Sequence, residues 1–332
     1  MRALSHPFRV TRQIPLWTAI FVAATALGFG VMGLKGKLNR HSTKEANNAV
    51  TVVATTDTPA PVSYYKLQTL CFARGGDIYL MDMNTGRVRK IVTGDEPNIS
   101  PNGERIAFVL GDNRALKTVD TNSGATKEIT SLQTIKAKAP QWSPDGSKIA
   151  FEYKKDLTWR VAILDTSTEQ WQDITASYPV EEDYFLSSWT TKGQSLVIQD
   201  LQSVYEVDVH GKELQRIDIK KLLKGEENIS SLSRFSFSAD KKYLLFNTAL
   251  YPDQSAVIYK LEIKSSALER ITAVTVDGGE PHWLPTEKEI LFRQLTENKT
   301  PYIYNISRLS LDKTDTPEIL VRNASNLSYA PR

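Results

Sequence analysis

The chain has 332 residues, with 41 Lys and Arg, 38 Asp and Glu and one cysteine, so no intrachain disulfide framework is possible and the core must be stable without one. The formal charge of +3 arises at the start of the chain, since residues 1–44 hold seven basic and no acidic residues. The remainder has 34 of the 41 basic residues against all 38 acidic ones, which disfavours a nucleic-acid-binding protein.

The N-terminal part predicts a membrane anchor. Residues 1–13 form a short basic segment, and residues 14–34 are 21 residues without a charge. At ~1.5 Å per residue an apolar helix of this length spans the ~30 Å hydrocarbon core of a bilayer. We expect an uncleaved transmembrane signal anchor. A cleaved signal peptide is the alternative, although the one Ala-x-Ala site, at 24–26, lies inside the apolar run.

Residues 35–64 are polar and end in Thr-Pro-Ala-Pro at 58–61, which predicts a flexible linker. Lys and Arg residues stand on both sides of the apolar segment, so their distribution does not fix the orientation in the membrane.

Residues 65–332 contain a repeat. Its clearest copy is PQWSPDGSKIAFEY at 140–153, and other copies occupy 97–110, 187–200, 235–248 and 281–294, with a remnant at 327–332. The third residues of these copies are 43 to 48 positions apart: Ile99, Trp142, Trp189, Phe237, Trp283 and Tyr329. A period of this size indicates one supersecondary unit that buries its faces only against its neighbours.

Each repeat predicts four short antiparallel strands separated by turns. In the copy at 140–175, Pro144-Asp145-Gly146 has turn chemistry, a short stretch around Trp142 precedes it, and a short apolar strand at 148–151 follows it. Because helical periodicity is not evident beyond the first 40 residues, we expect an all-β domain.

The two ends of the array complement each other. Residues 67–93 predict three strands without a first one, and 327–332 predict a first strand alone. Joined, they make a complete sixth unit, which predicts a closed six-bladed β-propeller with split-blade closure by the C-terminal strand. An open stack is the alternative, but a polar capping repeat is not evident.

The segment from Pro140 to Phe151 resembles the TolB-type, WD-like propeller repeat, P-x-W-S-P-D-G-x-x-I-A-F, at every fixed position. The copy at 97–108 departs from it at Ile99 and Asn102. The resemblance covers 66–332 and implies the propeller fold and a location outside the cytoplasm. The chain differs from TolB in having a linker of about 30 residues where TolB has a small α/β domain.

Two sets of residues are candidate binding sites. The first is the second residue of each innermost strand, which is polar in every blade and predicts a wet channel mouth: Asn98, Gln141, Ser188, Ser236, His282 and Ser328. Glu96 and Glu280 lie nearby and could supply acidic groups. The alternative is that these residues only solvate the channel or join neighbouring blades. Trp142, Trp189 and Trp283 recur at one place in their blades, so we expect them to pack between blades.

The second set lies on what we call the long-loop face, where the loops from second to third strands and the connections between blades emerge. Its long loops carry aromatic residues: Trp159, Tyr178, Tyr184, Phe185 and Tyr251. Long loops on a rigid scaffold commonly bind ligands. The alternative is that some of these rings fold back and cover blade edges.

Motifs for nucleophilic, phosphate-binding or zinc chemistry are not evident, and no cofactor or metal is predicted. We therefore expect a membrane-anchored, extracytoplasmic, non-enzymatic propeller that binds an envelope protein as a scaffold or sensor. One alternative is a hydrolase or lyase acting on a sugar or lactone at the channel mouth. Another is a gating subunit for a separate peptidase.

Overall fold

The computed structural model describes residues 67–224, 228–248, 255–273, 275–297, 302–312 and 316–331. The predicted basic segment, membrane anchor and linker, residues 1–64, lie outside the described residues. Within the described ranges, no helix combines the length and apolar character needed to cross a membrane.

The described chain folds into six four-stranded antiparallel sheets, the blades. Blade 1 takes its last three strands from the start of the domain: β1 (Leu67–Arg74), β2 (Asp77–Asp82) and β3 (Val88–Thr93). Blade 2 follows with β4 (Asp95–Ile99), β5 (Arg105–Leu110), β6 (Ala115–Asp120) and β7 (Thr126–Glu128). Blade 3 consists of β8 (Ala137–Trp142), β9 (Lys148–Lys155), β10 (Thr158–Asp165) and β11 (Trp171–Asp173).

The second half of the chain repeats the pattern. Blade 4 consists of β12 (Phe185–Trp189), β13 (Ser195–Gln199), β14 (Ser203–Asp208) and β15 (Glu213–Asp218). Blade 5 consists of β16 (Phe235–Phe237), β17 (Tyr243–Asn247), β18 (Ile258–Glu262) and β19 (Ala267–Arg270). Blade 6 consists of β20 (Gly278–Trp283), β21 (Glu289–Glu297), β22 (Ile303–Ser310) and β23 (Glu318–Val321), and the last strand is β24 (Ser325–Pro331).

Two short helical segments connect blades. A 3₁₀ turn (Thr130–Leu132) follows blade 2, and helix α1 (Ile219–Leu222) follows blade 4. Asp218 caps α1 by accepting a hydrogen bond from the backbone N–H of Lys221 at 2.8 Å. The part of the domain that the structure describes is otherwise built from strands and turns, which confirms the all-β prediction.

The C-terminal strand closes the ring as predicted. The sheet order of blade 1 is β24-β1-β2-β3, and β24 pairs antiparallel to β1 with Tyr329 opposite Leu70 and Ser328 opposite Cys71. The first and last strands of the domain thus share one sheet, so neither leaves an unpaired edge at the closure point.

The turns follow from local sequence. In the β6–β7 hairpin, the Asp120 carboxylate accepts hydrogen bonds from the backbone N–H groups of Asn122 and Ser123, at 3.0 and 2.7 Å. Gly124 then takes a φ of +72°, which suits a residue without a side chain. Five residues separate the two strands, so the hairpin is set by residues adjacent in sequence.

The apolar core lies between blades. Trp142 of blade 3 is in one buried cluster with Val109 and Leu116 of blade 2, and Trp283 of blade 6 packs with Leu245 of blade 5. Trp189 packs against the cluster shared by blades 3 and 4. The structure therefore places all three tryptophans between blades, as expected.

Candidate functional site

The first strand of each blade, here called the inner strand, contacts the inner strand of the next blade over most of the ring: β24 with β4, β4 with β8, β8 with β12, β12 with β16 and β16 with β20. The six predicted channel positions all lie on these strands, five of them at the next-to-last residue. Their environment decides whether they are available to a ligand.

Two of these side chains join blades 1, 2 and 3. The Ser328 hydroxyl accepts a hydrogen bond from the backbone N–H of Ile99 at 3.0 Å and donates one to the carbonyl oxygen of Pro97 at 3.2 Å. The Asn98 amide oxygen accepts a hydrogen bond from the backbone N–H of Trp142 at 2.8 Å. Both side chains are thus used in fastening one inner strand to the next.

Two more of the six side chains join blade 3 to blade 4 and blade 4 to blade 5. The Gln141 side-chain amide donates a hydrogen bond to the carbonyl oxygen of Ser187 at 3.0 Å. The Ser188 hydroxyl donates one to the carbonyl oxygen of Phe235 at 2.8 Å. Four of the six predicted channel residues therefore join neighbouring blades, which is the alternative that the sequence left open.

Ser236 and His282 differ from these four. Over the described ranges, neither side chain makes a hydrogen bond, and both are partly exposed although their neighbours in the strand are buried. Burial by surrounding protein lowers the pKa of His282, and the negative charge of Glu280 only partly offsets this effect. The imidazole is therefore neutral at pH 7.

The residue two positions before the channel residue has an unusual backbone in four blades. Glu96, Ala139, Glu280 and Asn326 have φ values of 49°, 49°, 51° and 50°. The strand pairing shifts register at the same places, as in a β-bulge. A left-handed backbone costs a non-glycine residue ~1 kcal/mol, and bulges commonly re-aim side chains at the rim of a barrel.

Glu96 uses its position to join two blades. Its carboxylate lies 2.5 Å from the Arg114 guanidinium and accepts a hydrogen bond from the backbone N–H of Ala139 at 2.5 Å. Arg114 also donates to the carbonyl oxygen of Ala137 at 3.0 Å. Because both carboxylate oxygens are occupied, Glu96 has a structural role between blades 2 and 3.

Glu280 lies in a different setting. Its carboxylate is 3.4 Å from the Arg293 guanidinium, which stacks at 4.1 Å on the ring of Tyr304. Burial alone would raise the pKa of Glu280, but the positive charges of Arg293 and Arg234 outweigh burial and hold that pKa below its ordinary value. Glu280 is therefore ionised at neutral pH and partly exposed beside His282.

Unlike Glu280, the nearby Glu152 is completely buried. Glu152 of β9 lies 2.9 Å from the Lys138 ammonium group and accepts a hydrogen bond from the backbone N–H of Leu186 at 3.0 Å. The guanidinium of Arg234 is 4.0 Å away. Burial raises the pKa of Glu152, because the charges of Arg234 and Lys138 only partly compensate for the loss of water.

Lys138 also contacts aromatic rings. Its ammonium group lies 3.8 Å from the ring centre of Trp159 and 5.0 Å from that of Phe185. Trp159 is therefore engaged in a cation–π contact at the channel mouth, and it remains partly exposed.

The other predicted aromatic residues are less accessible than expected. Tyr184 and Phe185 are 1% and 3% exposed, so they belong to the core and are not available on an exposed binding surface. Tyr178 is partly buried, with its ring centre 5.1 Å from Tyr184 and 5.8 Å from Tyr205. The physical reason is that the connection between blades 3 and 4 folds back over the blade edge. Tyr251 lies outside the described residues.

The long-loop face exposes other large apolar residues, most of them aliphatic. Among the described residues, nine large apolar side chains are strongly exposed. Four lie on the outermost strands: Val88, Leu214, Leu268 and Ile319. The other five lie in loops of the long-loop face: Leu157, Val180, Leu201, Leu232 and Tyr302. The four on the outermost strands lie at the strand ends next to the turns of the opposite face, but none of the nine lies in those turns themselves.

The ionic residues of the channel mouth, namely Lys138, Glu152, Arg234 and Arg293, are absent from the predicted site. One signal could have revealed Arg234, since it stands two residues before Ser236 just as Glu280 stands two residues before His282. Glu152 is a charged residue inside an apolar strand, which is a second usable signal. Over the described ranges, no group of three or more His, Cys, Asp or Glu side chains is arranged to hold a metal ion.

The strand order and ring closure define a closed six-bladed β-propeller. No protein-family model matches the chain, and no curated protein matches it. Among solved structures, TolB from Acinetobacter baumannii is similar with a TM-score of 0.59 at 16% identity, over 80% of this chain and 66% of that chain. This chain thus spans about two thirds of the length of that TolB.

Two further structures have similar folds. A candidate TolB from Agrobacterium tumefaciens has a TM-score of 0.58 at 17% identity, over 80% of this chain and 98% of that one. A chain of the nidogen/laminin complex has a TM-score of 0.56 at 9% identity, over 79% of this chain and 98% of that one. At these identities the likeness is one of fold, and it is a likeness to the propeller of TolB.

Proposed function

We propose that this protein is a membrane-anchored, extracytoplasmic propeller of the cell envelope that binds a partner protein through its long-loop face. It acts as a scaffold or sensor and not as an enzyme. The observation that carries the proposal is the distribution of exposed apolar side chains, which favours the long-loop face over the opposite one.

The apolar side chains of blades 3 to 5 are the proposed contact surface. Leu157 is 88% exposed, Val180 67% and Leu232 58%. The loops carrying the first two are joined, because the Thr158 hydroxyl donates a hydrogen bond to the carbonyl oxygen of Val180 at 3.3 Å. Side chains so exposed contribute little to folding, and their burial by a partner would be favourable.

The charge around this surface suggests the kind of partner. The loops at 153–159, 176–184 and 200–203 carry five acidic and two basic residues, whereas the Leu232 loop at 220–234 carries two acidic and four basic ones. Complementary charges guide partners together and disfavour wrong ones. The expected partner therefore presents an apolar patch with Lys and Arg on the side that meets Leu157 and Val180 and with acidic residues on the side that meets Leu232.

The fold is compatible with such a role. A chain of similar fold is part of the nidogen/laminin complex, and TolB propellers are similar as well. These likenesses support a rigid binding platform and do not identify the partner.

The test is in-cell crosslinking of the tagged full-length protein, followed by purification and mass spectrometry. The face variant is Leu157→Ser with Val180→Ser and Leu232→Ser. The matched control is Val88→Ser with Leu268→Ser and Ile319→Ser, which removes as many exposed apolar side chains from the outer rim. We expect one envelope protein to be lost from the face variant and retained by the control.

Retention of every crosslinked protein by the face variant would contradict the proposal. A peptidase as the partner lost from the face variant would favour the gating-subunit alternative. Turnover of a sugar or lactone by the purified protein would favour the enzyme alternative, whose candidate groups lie at the channel mouth.

The side of the membrane on which the propeller lies can be tested by labelling an introduced cysteine, because the single natural cysteine should not react. Cys71 is buried, and burial strongly raises the pKa of its thiol, so it should not react with maleimides in the folded protein. Ser123→Cys would place a thiol in an exposed turn. We expect a membrane-impermeant maleimide to label this variant in spheroplasts, and labelling only after lysis would contradict an extracytoplasmic propeller.

A further inference from the structure

The channel mouth between blades 5 and 6 has polar groups that the fold does not use. Four of the six channel residues of the inner strands make hydrogen bonds between blades. The two that do not, Ser236 and His282, lie on adjacent inner strands. The Trp283 indole N–H donates to the carbonyl oxygen of Ser236 at 3.0 Å, as the Trp189 indole N–H donates to that of Gln141 between blades 3 and 4. At this junction, however, neither polar side chain makes a hydrogen bond within the described chain.

A single buried amide holds the flanking charged residues side by side. The side-chain oxygen of Asn247 accepts hydrogen bonds from the backbone N–H of Arg234 at 3.0 Å and from that of Glu280 at 3.3 Å. Asn247 is 4% exposed, so this link is part of the interior. Arg234 on blade 5 and Glu280 on blade 6 are therefore fixed next to Ser236 and His282.

The donors of Arg234 are only partly used. Its Nη1 donates to the carbonyl oxygen of Ser231 at 2.7 Å and approaches that of Ser233 at 3.3 Å. Its Nη2 is 4.0 Å from the Glu152 carboxylate, which exceeds hydrogen-bond distance and leaves that nitrogen without a hydrogen-bond acceptor in the described chain. An incompletely satisfied guanidinium at a channel mouth is suited to bind a carboxylate.

The local charge balance limits the ligand. Lys138 and Arg234 both lie near Glu152, and Arg293 lies 3.4 Å from Glu280, so these carboxylates partly compensate the charge of Arg234 without accepting a hydrogen bond from its Nη2. A ligand carboxylate can pair with that nitrogen, whereas the ammonium group of a zwitterion would be repelled by the guanidinium. Over the described ranges the Glu280 carboxylate accepts no hydrogen bond of good geometry, so it can accept one from a ligand hydroxyl.

We propose that this mouth binds a hydroxycarboxylate, with the carboxylate on Arg234 and Ser236 and the neighbouring hydroxyl on Glu280 or His282. The same chemistry occurs in a free hydroxy acid and in an acidic sugar. Leu232 of the apolar surface lies two residues from Arg234, whereas Leu157 and Val180 lie in other loops, so Leu157→Ser with Val180→Ser distinguishes failure of one proposal from failure of the other.

The experiment measures thermal unfolding and isothermal titration of the purified full-length protein with glycolate, propionate, glycine and glucuronate at equal ionic strength. Glycolate and glucuronate carry the proposed pair of groups, propionate lacks the hydroxyl, and glycine is a zwitterion. We expect one-to-one binding of glycolate or glucuronate at least tenfold tighter than of propionate or glycine. Tighter binding of glycolate would indicate a free hydroxy acid as the ligand, and tighter binding of glucuronate would indicate an acidic sugar.

Variants locate the site. Arg234→Met should weaken binding at least tenfold, and Ser236→Ala should weaken it a few-fold without changing the unfolding temperature, because that hydroxyl makes no hydrogen bond in the described chain. Arg87→Met, at an exposed arginine of the outer rim, is the control and should bind normally. Equal affinity for all four compounds, or unchanged binding in both Arg234→Met and Ser236→Ala, would overturn the proposal.

Discussion

The hydroxyl of Tyr329 donates a hydrogen bond of 2.6 Å to the carbonyl oxygen of Trp283, so the last strand of the chain is joined to blade 6 as well as to blade 1. Burial raises the pKa of Tyr329 to about 12, with a smaller effect from Glu287, and the phenol therefore keeps the proton that it donates. The same closing strand is fastened to blade 2 through Ser328. Ring closure thus depends on side chains of one short strand.

Tyr329→Phe should lower the free energy of unfolding by about 1–3 kcal/mol, since it removes a hydrogen bond and leaves a carbonyl oxygen without that donor. Urea unfolding followed by tryptophan fluorescence measures the change. Tyr302→Phe is the control, because Tyr302 is exposed and its hydroxyl has no hydrogen bond in the described chain. Equal stability of the two variants would mean that the Tyr329 hydroxyl does not contribute to closure.

Gly211→Ala should destabilise the protein more than Gly124→Ala. Both glycines have positive φ, +86° and +72°, in equivalent hairpins, so both substitutions incur the cost of ~1–2 kcal/mol for a left-handed alanine. A Cβ at 211 would lie 2.0 Å from the carbonyl oxygen of Ile174, whereas one at 124 would meet nothing within 4 Å. The measurement is the difference in unfolding free energy, and equal losses would contradict the close packing of this hairpin against blade 3.

Glu152→Gln and Glu280→Gln should change the pH dependence of stability in opposite directions. Burial raises the pKa of Glu152 in the folded state, so the folded protein holds this proton more tightly than the unfolded chain. Stability from this group therefore falls as the pH rises through the ordinary glutamate pKa of 4.5 towards the folded value. For Glu280 the folded pKa is lowered, so its contribution is present above 4.5 and is lost at lower pH.

Unfolding free energies of both variants and the wild type between pH 3.5 and pH 7 test this. As the pH rises, the unfolding free energy of Glu152→Gln should increase relative to that of the wild type. The unfolding free energy of Glu280→Gln should decrease relative to that of the wild type. Parallel curves for the two variants would contradict the assigned environments.

Arg160→Lys should loosen the connection between blades 3 and 4. The guanidinium of Arg160 is 2% exposed, donates to the carbonyl oxygens of Pro179 at 2.8 Å and of Thr175, and stacks on Tyr184 at 5.1 Å. Lysine cannot make these contacts together, so we expect a loss of about 2–4 kcal/mol, with faster amide exchange at 176–184.

Arg216→Lys is the matched control for Arg160→Lys. Arg216 also stacks on a tyrosine, at 5.0 Å from Tyr205, but it is exposed. Its substitution should cost less than about 0.5 kcal/mol. Unchanged exchange at 176–184 in Arg160→Lys would show that the connection is held by other contacts.

Much of the fold could be predicted from local sequence. The repeat spacing, the Pro-Asp-Gly and Asp-x-x-x-Gly turns and the short apolar strands specify each blade within about 45 residues. The unmatched ends at 67–93 and 327–332 then indicate the split blade. These features follow from the chemistry of neighbouring residues, because turn conformation and strand alternation depend on residues close in sequence.

The site depended on contacts between blades. Polarity at six equivalent positions was evident in the sequence, but only the packed ring shows that Asn98 is used by blade 3 while His282 has no hydrogen-bond partner in the described chain. Tyr184 and Tyr178 both belong to a long connection, and burial distinguishes them only after that connection folds over the blade edge.

The sequence by itself therefore determined the number of blades, their strands and the closing strand, because residues close together in sequence specify each blade and the same pattern recurs along the chain. Only the tertiary structure decided which polar and aromatic side chains remain available. Glu152 and Arg234 are distant in sequence and approach within 4.0 Å across the channel mouth. The net charge around them depends on burial and on residues from three blades, so it cannot be predicted from any short stretch of the sequence.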